Sequence, residues 1–173
     1  SEIGCSITGL PGHPIRNVVL EDIQISFDGG GSKDQAAREI PERPESYPES
    51  TMFGPLPAYG LYCRHVEGLT LRNVQLDTRR PDLRHAVLAD DVKRLRIEAL
   101  EADGVPGAEA VIRLVQVDGA EIRRCKASAT ADPFLLLEGD RTRQVVLEEN
   151  DLAAAAKQIE FRGGAAAQVV SPP

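Results

Sequence analysis

Val66-Glu67-Gly68-Leu69-Thr70-Leu71-Arg72-Asn73-Val74-Gln75-Leu76 is the stretch that decides the fold. Its apolar residues follow the template h-x-x-h-x-h-x-x-h-x-h, where h is apolar. The same template fits Ile15, Val18, Leu20, Ile23 and Ile25. It fits again at Val92, Leu95, Ile97, Leu100 and Ala102, and at Val117, Ala120, Ile122, Cys125 and Ala127. A fifth copy, Thr142, Val145, Leu147, Asn150 and Leu152, puts two polar residues in apolar slots. From Val66 onward the copies start 26, 25 and 25 residues apart, while Ile15 precedes Val66 by 51. Self-similarity at such a period is the mark of a repeat architecture.

A short apolar strand precedes each copy. Leu61/Cys63, Val87/Ala89, Ile112/Leu114 and Leu135/Leu137 alternate with period two, as half-buried strands do. Leu61, Val87, Ile112 and Leu137 each stand five residues before a template start. Each repeat therefore holds about three short strands joined by bends. Helical periodicity is weak, and only Ala153–Ala156 could add a turn or two.

One such coil cannot bury its own apolar side. Stacked coils can, with each strand paired in parallel to its counterpart about 4.8 Å away. Leu20, Leu71, Ile97, Ile122 and Leu147 then form one interior column, and Arg72, Arg96, Arg123 and Glu148 point out. Strand twist favours the right-handed form. The expected fold is all-β, a right-handed parallel β-helix running as one segment over residues 1–173. A β-sandwich also spaces its strands at about 8–12 residues, but it does not predict this register. Leucine-rich repeats share the period, yet only fragments of their signature occur, such as Leu69 to Asn73.

The chain has 173 residues, 42% hydrophobic and 27% charged, which suits one domain with a real core. Its formal charge of −7 argues against a nucleic-acid binder held by counterion release. No apolar run approaches the roughly 18 residues of a membrane helix. Ser1 opens directly into patterned sequence with no leader pattern. The expectation is a processed start or a C-terminal piece, with further coils of the same chain upstream. Cys5, Cys63 and Cys125 are odd in number and far apart, so neither a disulfide framework nor a zinc site is expected.

Residues 28–57 break the repeat. Gly29-Gly30-Gly31 is followed by Pro41, Pro44, Pro48, Pro55 and Pro57, so the segment reads as a long loop insertion. Loops of this length in compact domains are usually functional or disordered. Tyr47, Met52, Phe53, Leu56 and Tyr59 gather at its end, which suggests that it packs back on the coil.

Chemistry is scarce. His13 sits in a Pro-Gly turn, and His85 lies among Arg79, Arg80 and Arg84 in a bend that reads as surface. Arg64-His65 ends a strand beside the insertion and is the best candidate for a ligand contact. Asp90-Asp91 and Arg124-Cys125-Lys126 read as solvated surface. No histidine pair has metal-ligand spacing, and no nucleophile stands close to a base. No cofactor and no metal are expected.

The stretch from Pro44 to Val66, PESYPESTMFGPLPAYGLYCRHV, resembles the C-terminal part of bacterial family-28 glycoside hydrolases, the polygalacturonase-like, pectin-degrading enzymes. Gly9-Leu10-Pro11-Gly12-His13-Pro14-Ile15, Asn17-Val18 and the Asp90-Asp91-Val92 bend support the likeness. The resemblance implies a right-handed parallel β-helix, a pectic polysaccharide as partner, inverting hydrolysis, and a secreted or periplasmic location. That family's active site strings Asn-x-Asp, Asp-Asp, Gly-His-Gly and Arg-x-Lys along successive coils. Here Asp90-Asp91 and Arg124-x-Lys126 match by letters only, and no Gly-His-Gly lies between them. No catalytic residue carries over, so the catalytic coils are expected upstream and this segment alone inactive. Tyr47, Tyr59, Arg64 and His65 are the expected substrate contacts. A non-catalytic module that binds or scaffolds polysaccharide is the alternative.

Overall fold

The structure is a computed structural model that describes residues 3–102, 104–128, 132–167 and 170–171. Its elements are β1 (Cys5–Thr8), β2 (Ile15–Phe27), α1 (Lys33–Ala36), β3 (Ala58–Thr78), β4 (His85–Ala102), β5 (Ile112–Val115), β6 (Asp118–Arg123), β7 (Leu135–Glu138), β8 (Arg143–Glu148), β9 (Ile159–Arg162) and β10 (Val170–Ser171). All the strand ladders pair in parallel. The strands stack as a β-solenoid of about four turns with about 26 residues per turn. A first turn carrying the insertion and a partial last turn flank the regular ones.

The expected interior column is present. Leu20 pairs with Leu71, Leu71 with Ile97, Ile97 with Ile122 and Ile122 with Leu147. Its three middle members are fully buried. On the first sheet Cys5, Leu61, Val87, Ile112, Leu135 and Ile159 form another such column.

The corners of the coil are the residue just before each template start and the template's two two-residue gaps. His65, Asp91 and Gln116 take positive φ at one corner; Asn17, Arg94 and Gln144 do so at the next, and Asp22, Asn73, Ala99, Arg124 and Glu149 at the third. A single left-handed residue bends the strand by one position and keeps the following side chain pointing inward. Such a conformation costs a non-glycine residue about 1–2 kcal/mol. Asn and Asp tolerate it best, and Gly68 and Gly119, at φ 78° and 81°, remove the cost on alternate turns of the second corner.

The two polar residues in apolar slots are both hydrogen-bonded. Thr142 Oγ1 accepts from the Val117 N–H at 3.3 Å and donates to the Glu138 carbonyl. The Asn150 side chain accepts from the Cys125 N–H at 2.9 Å and donates to the Ile122 carbonyl at 2.8 Å. The expected five-residue offset fails at the fourth strand. Leu135, not Leu137, pairs with Ile112, so that turn is shorter by two residues. Asp140 and Arg141 are inserted at the corner and restore the register, so that Arg143 meets Asp118. Residues 153–156 form a non-helical turn.

Residues 28–57 are an ordered strap. Ser32 caps the short α1 with a reciprocal Ser32–Gln35 capping box. Ile40, Phe53 and Leu56 then pack on Ala58, Tyr62 and Leu88, a second apolar cluster outside the coil. Met52 joins it, as its sequence position suggested. Tyr47 does not, and is 83% exposed.

Candidate functional site

Arg64 and His65 hold the strap to the coil. The Arg64 guanidinium donates to the Ile40 carbonyl at 2.6 Å and the Pro41 carbonyl at 3.4 Å, and lies 3.2 Å from Glu42. Its carbon stands 5.8 Å from both the Phe53 and the Tyr62 ring centres. This side chain is buried. Left-handed at the corner, His65 places Nδ1 2.7 Å from Asp91 Oδ2 and Nε2 2.9 Å from Glu42 Oε1. Asp91 reaches on to Arg141 at 3.4 Å. Further along the strap, the buried Asp82–Arg84 pair accepts the Gly31 N–H at 2.9 Å.

Of the four residues expected to touch substrate, Arg64 and His65 come together, but as fasteners whose polar atoms face protein groups. Tyr59 corrects its expectation. It points into the coil at 1% exposure, edge-on to Phe27 with ring centres 5.9 Å apart, because it occupies an inward position at the start of β3. Tyr47 lies free on the outer side of the strap. His85 corrects the surface reading. It is wholly buried, with Nδ1 donating to the Ala110 carbonyl at 2.8 Å and Nε2 facing Glu109 at 3.5 Å. His13 does close a tight turn with Leu10, and Arg124 and Lys126 point outward.

Asp90 was expected on the solvated surface, and the structure instead places it half-buried in a cavity of about 300 Å³ beside the strap. Tyr62, Leu88, Arg113, Val115 and Glu138 line its floor, and Ala37 to Ile40 with Pro57 form its wall. Among the described residues no side chain hydrogen-bonds or ion-pairs with the Asp90 carboxylate. Burial pushes its carboxyl above the ordinary value against the pull of Arg64, His65 and Arg113, and Asp91 adds to the rise. Burial also pushes the Tyr62 phenol up, so it remains a hydroxyl. Glu138, two strands further in the Asp90 column, receives Arg113 Nε at 3.0 Å and Nη2 at 2.8 Å. A cleft that keeps one carboxyl unpaired, with its pKa raised by burial, beside a charged pair is an arrangement suited to acid–base chemistry or carbohydrate recognition.

A larger cavity, about 840 Å³, lies between β1 and strap residues 42–53. Arg64, Glu42, Arg43 and Glu49 are its charged liners, and the first two are paired to each other. No group of three or more potential metal ligands occurs among the described residues. The Asp90 cavity escaped sequence reading because its wall is contributed by the strap; the Asp-Asp letters were the one signal available.

The fold and this cleft define the chain as a parallel β-solenoid with a strapped outer face. No family model, no curated protein and no solved structure matches it.

Proposed function

We propose that the chain holds a pectic, uronic-acid polysaccharide on the outer face of its first sheet, as the β-helix portion of a polygalacturonase-like, inverting glycoside hydrolase whose catalytic coils lie upstream. The observation that carries this reading is Asp90. Its unpaired, burial-raised carboxyl feels the charge of Arg64 and Arg113 and lies against the strap that bears the polygalacturonase-like sequence. A uronate ring offers hydroxyl groups to the Asp90 carboxyl, and its own carboxylate is drawn by the charge of the two arginines. A polymer of this kind is met outside the cytoplasm, so the reading carries a secreted or periplasmic location with it.

A second reading makes the chain itself catalytic. Asp90 and Glu138 stand two strands apart in one column, so their backbones are on the order of 9–10 Å apart. Inverting glycosidases space their carboxyl groups by about 6.5–9.5 Å. Asp90 would give its proton to the leaving oxygen. Glu138 would take one from the water that attacks the anomeric carbon from the opposite face.

One experiment separates the two. Calorimetric titration with oligogalacturonate is run beside a reducing-end assay on the wild type and Asp90→Asn. Binding without cleavage supports the first reading. Cleavage that Asp90→Asn abolishes while binding persists supports the second, because the amide keeps a donor but has no acidic proton. No binding by the wild type overturns both.

A further inference from the structure

The outward charges of the coil follow a code. Arg16, Glu67, Lys93, Asp118 and Arg143 occupy one column; Glu21, Arg72, Glu98, Arg123 and Glu148 occupy another. Signs alternate at each step in both columns. Neighbours make the corresponding pairs: Arg16 with Glu67 at 3.2 Å, Arg72 with Glu21 at 2.8 Å and with Glu98 at 3.6 Å, Arg123 with Glu98 at 2.9 Å, and Arg143 with Asp118 at 2.5 Å. Two kinds of rung therefore alternate. β2, β4 and β8 place a base in the first column and an acid in the second, and β3 and β6 reverse this.

β2 pairs with β3 alone, so its other edge has no strand on it among the described residues. The inward residues show the consequence. Val18, Leu20, Ile23 and Ile25 are only partly buried, whereas their partners Leu69, Leu71, Val74 and Leu76 are at most 1% exposed. Ile15 is 37% and Val19 58% exposed on the same strand. An unpaired edge beside uncovered aliphatic side chains is a template for a further strand.

We propose that the free edge of β2 docks an extended polypeptide segment that runs parallel to it and carries an acid over Arg16, aliphatic residues over Val18 and Leu20, and a base over Glu21. β3 and β6 show the required pattern, an acid followed five residues later by a base: Glu67 and Arg72, Asp118 and Arg123. The chain's own opposite end lacks it. At that end β8, with Arg143 and Glu148 of the same signs as Arg16 and Glu21, is itself paired to β10 at Val145 and Val146, so it is not a free edge for a second copy. Charge, which alternates along both columns, thus selects the occupant. The inference does not depend on the proposed function.

The test is fluorescence anisotropy of a labelled peptide copying residues 66–76 with the full 173-residue chain. A second peptide carries E67R and R72E, and a second protein carries R16E and E21R. With two opposed charge pairs becoming two like pairs, the native-sequence peptide is expected to bind the wild type about tenfold more tightly than the swapped one. The R16E/E21R protein is expected to reverse that preference. Equal binding of both peptides, or a preference unchanged in R16E/E21R, overturns the proposal. So does the absence of peptide binding; if sedimentation then shows a dimer, a second copy is the occupant.

Discussion

Asn150→Leu tests whether the apolar template or the hydrogen bonds rule at that slot. By pattern alone a leucine there completes the repeat and should stabilise the coil. The structure argues otherwise. The Asn150 amide satisfies the Cys125 N–H at 2.9 Å and the Ile122 carbonyl at 2.8 Å, in a half-buried setting near the end of the coil. A peptide group left without a partner costs about 1–3 kcal/mol when cut off from water. Water reaches part of this site, so each group costs about 1–1.5 kcal/mol, the low end of the range, and the two together cost about 2–3 kcal/mol. The added apolar surface returns on the order of 1 kcal/mol. The net loss is about 1–2 kcal/mol, which for a chain of this size lowers Tm by about 2–8 °C. Asn150→Ala, which loses both bonds and gains no apolar surface, should be less stable than Asn150→Leu. Urea titration followed by far-ultraviolet circular dichroism reads both, with midpoints compared at unchanged slope. A leucine variant as stable as the wild type, or more so, would refute the hydrogen-bond account and restore the template.

Two further outcomes follow from the same structure. Ile97, fully buried between Leu71 and Ile122, should cost about 2–5 kcal/mol when replaced by Ala, read as a lowered urea midpoint. Glu109 should make the protein acid-sensitive: the contact from His85 chiefly, with Arg162 and Arg113, holds its carboxyl at about 2 instead of 4.5. A depressed folded-state value means stabilisation that is complete above about 4.5 and lost as pH falls towards about 2. Urea midpoints taken down through that window should fall less steeply in Glu109→Gln, and identical slopes would remove Glu109 from the account.

Two classes of feature separate cleanly in this molecule. In a parallel stack each residue meets its own counterpart one turn away, and side chains alternate strictly between inside and outside. A period in the chain is therefore also a column in space, which is why Leu20 to Leu147 could be aligned from the amino-acid sequence, and why the break at residues 28–57 stood out. Outward Arg72, Arg96, Arg123 and Glu148 were legible by the same alternation. What only the tertiary structure decided lies where that local rule has no say. The strap docks on the outer face, and its carbonyls and rings turn Arg64 from an exposed candidate into a buried fastener. The wall formed by residues 37–40 turns Asp90 from a surface carboxylate into an unpaired one in a cleft. The carbonyl of Ala110 and the carboxylate of Glu109 meet the buried His85 ring. Tyr59 looked like part of the loop's aromatic end, yet strand parity turns it inward. Arg64 takes its environment from Ile40 on the strap, a partner chosen by the docking of one segment on another, and His85 takes its own from Ala110 one turn on, a counterpart that lies outside the apolar template and so gave no signal in the chain.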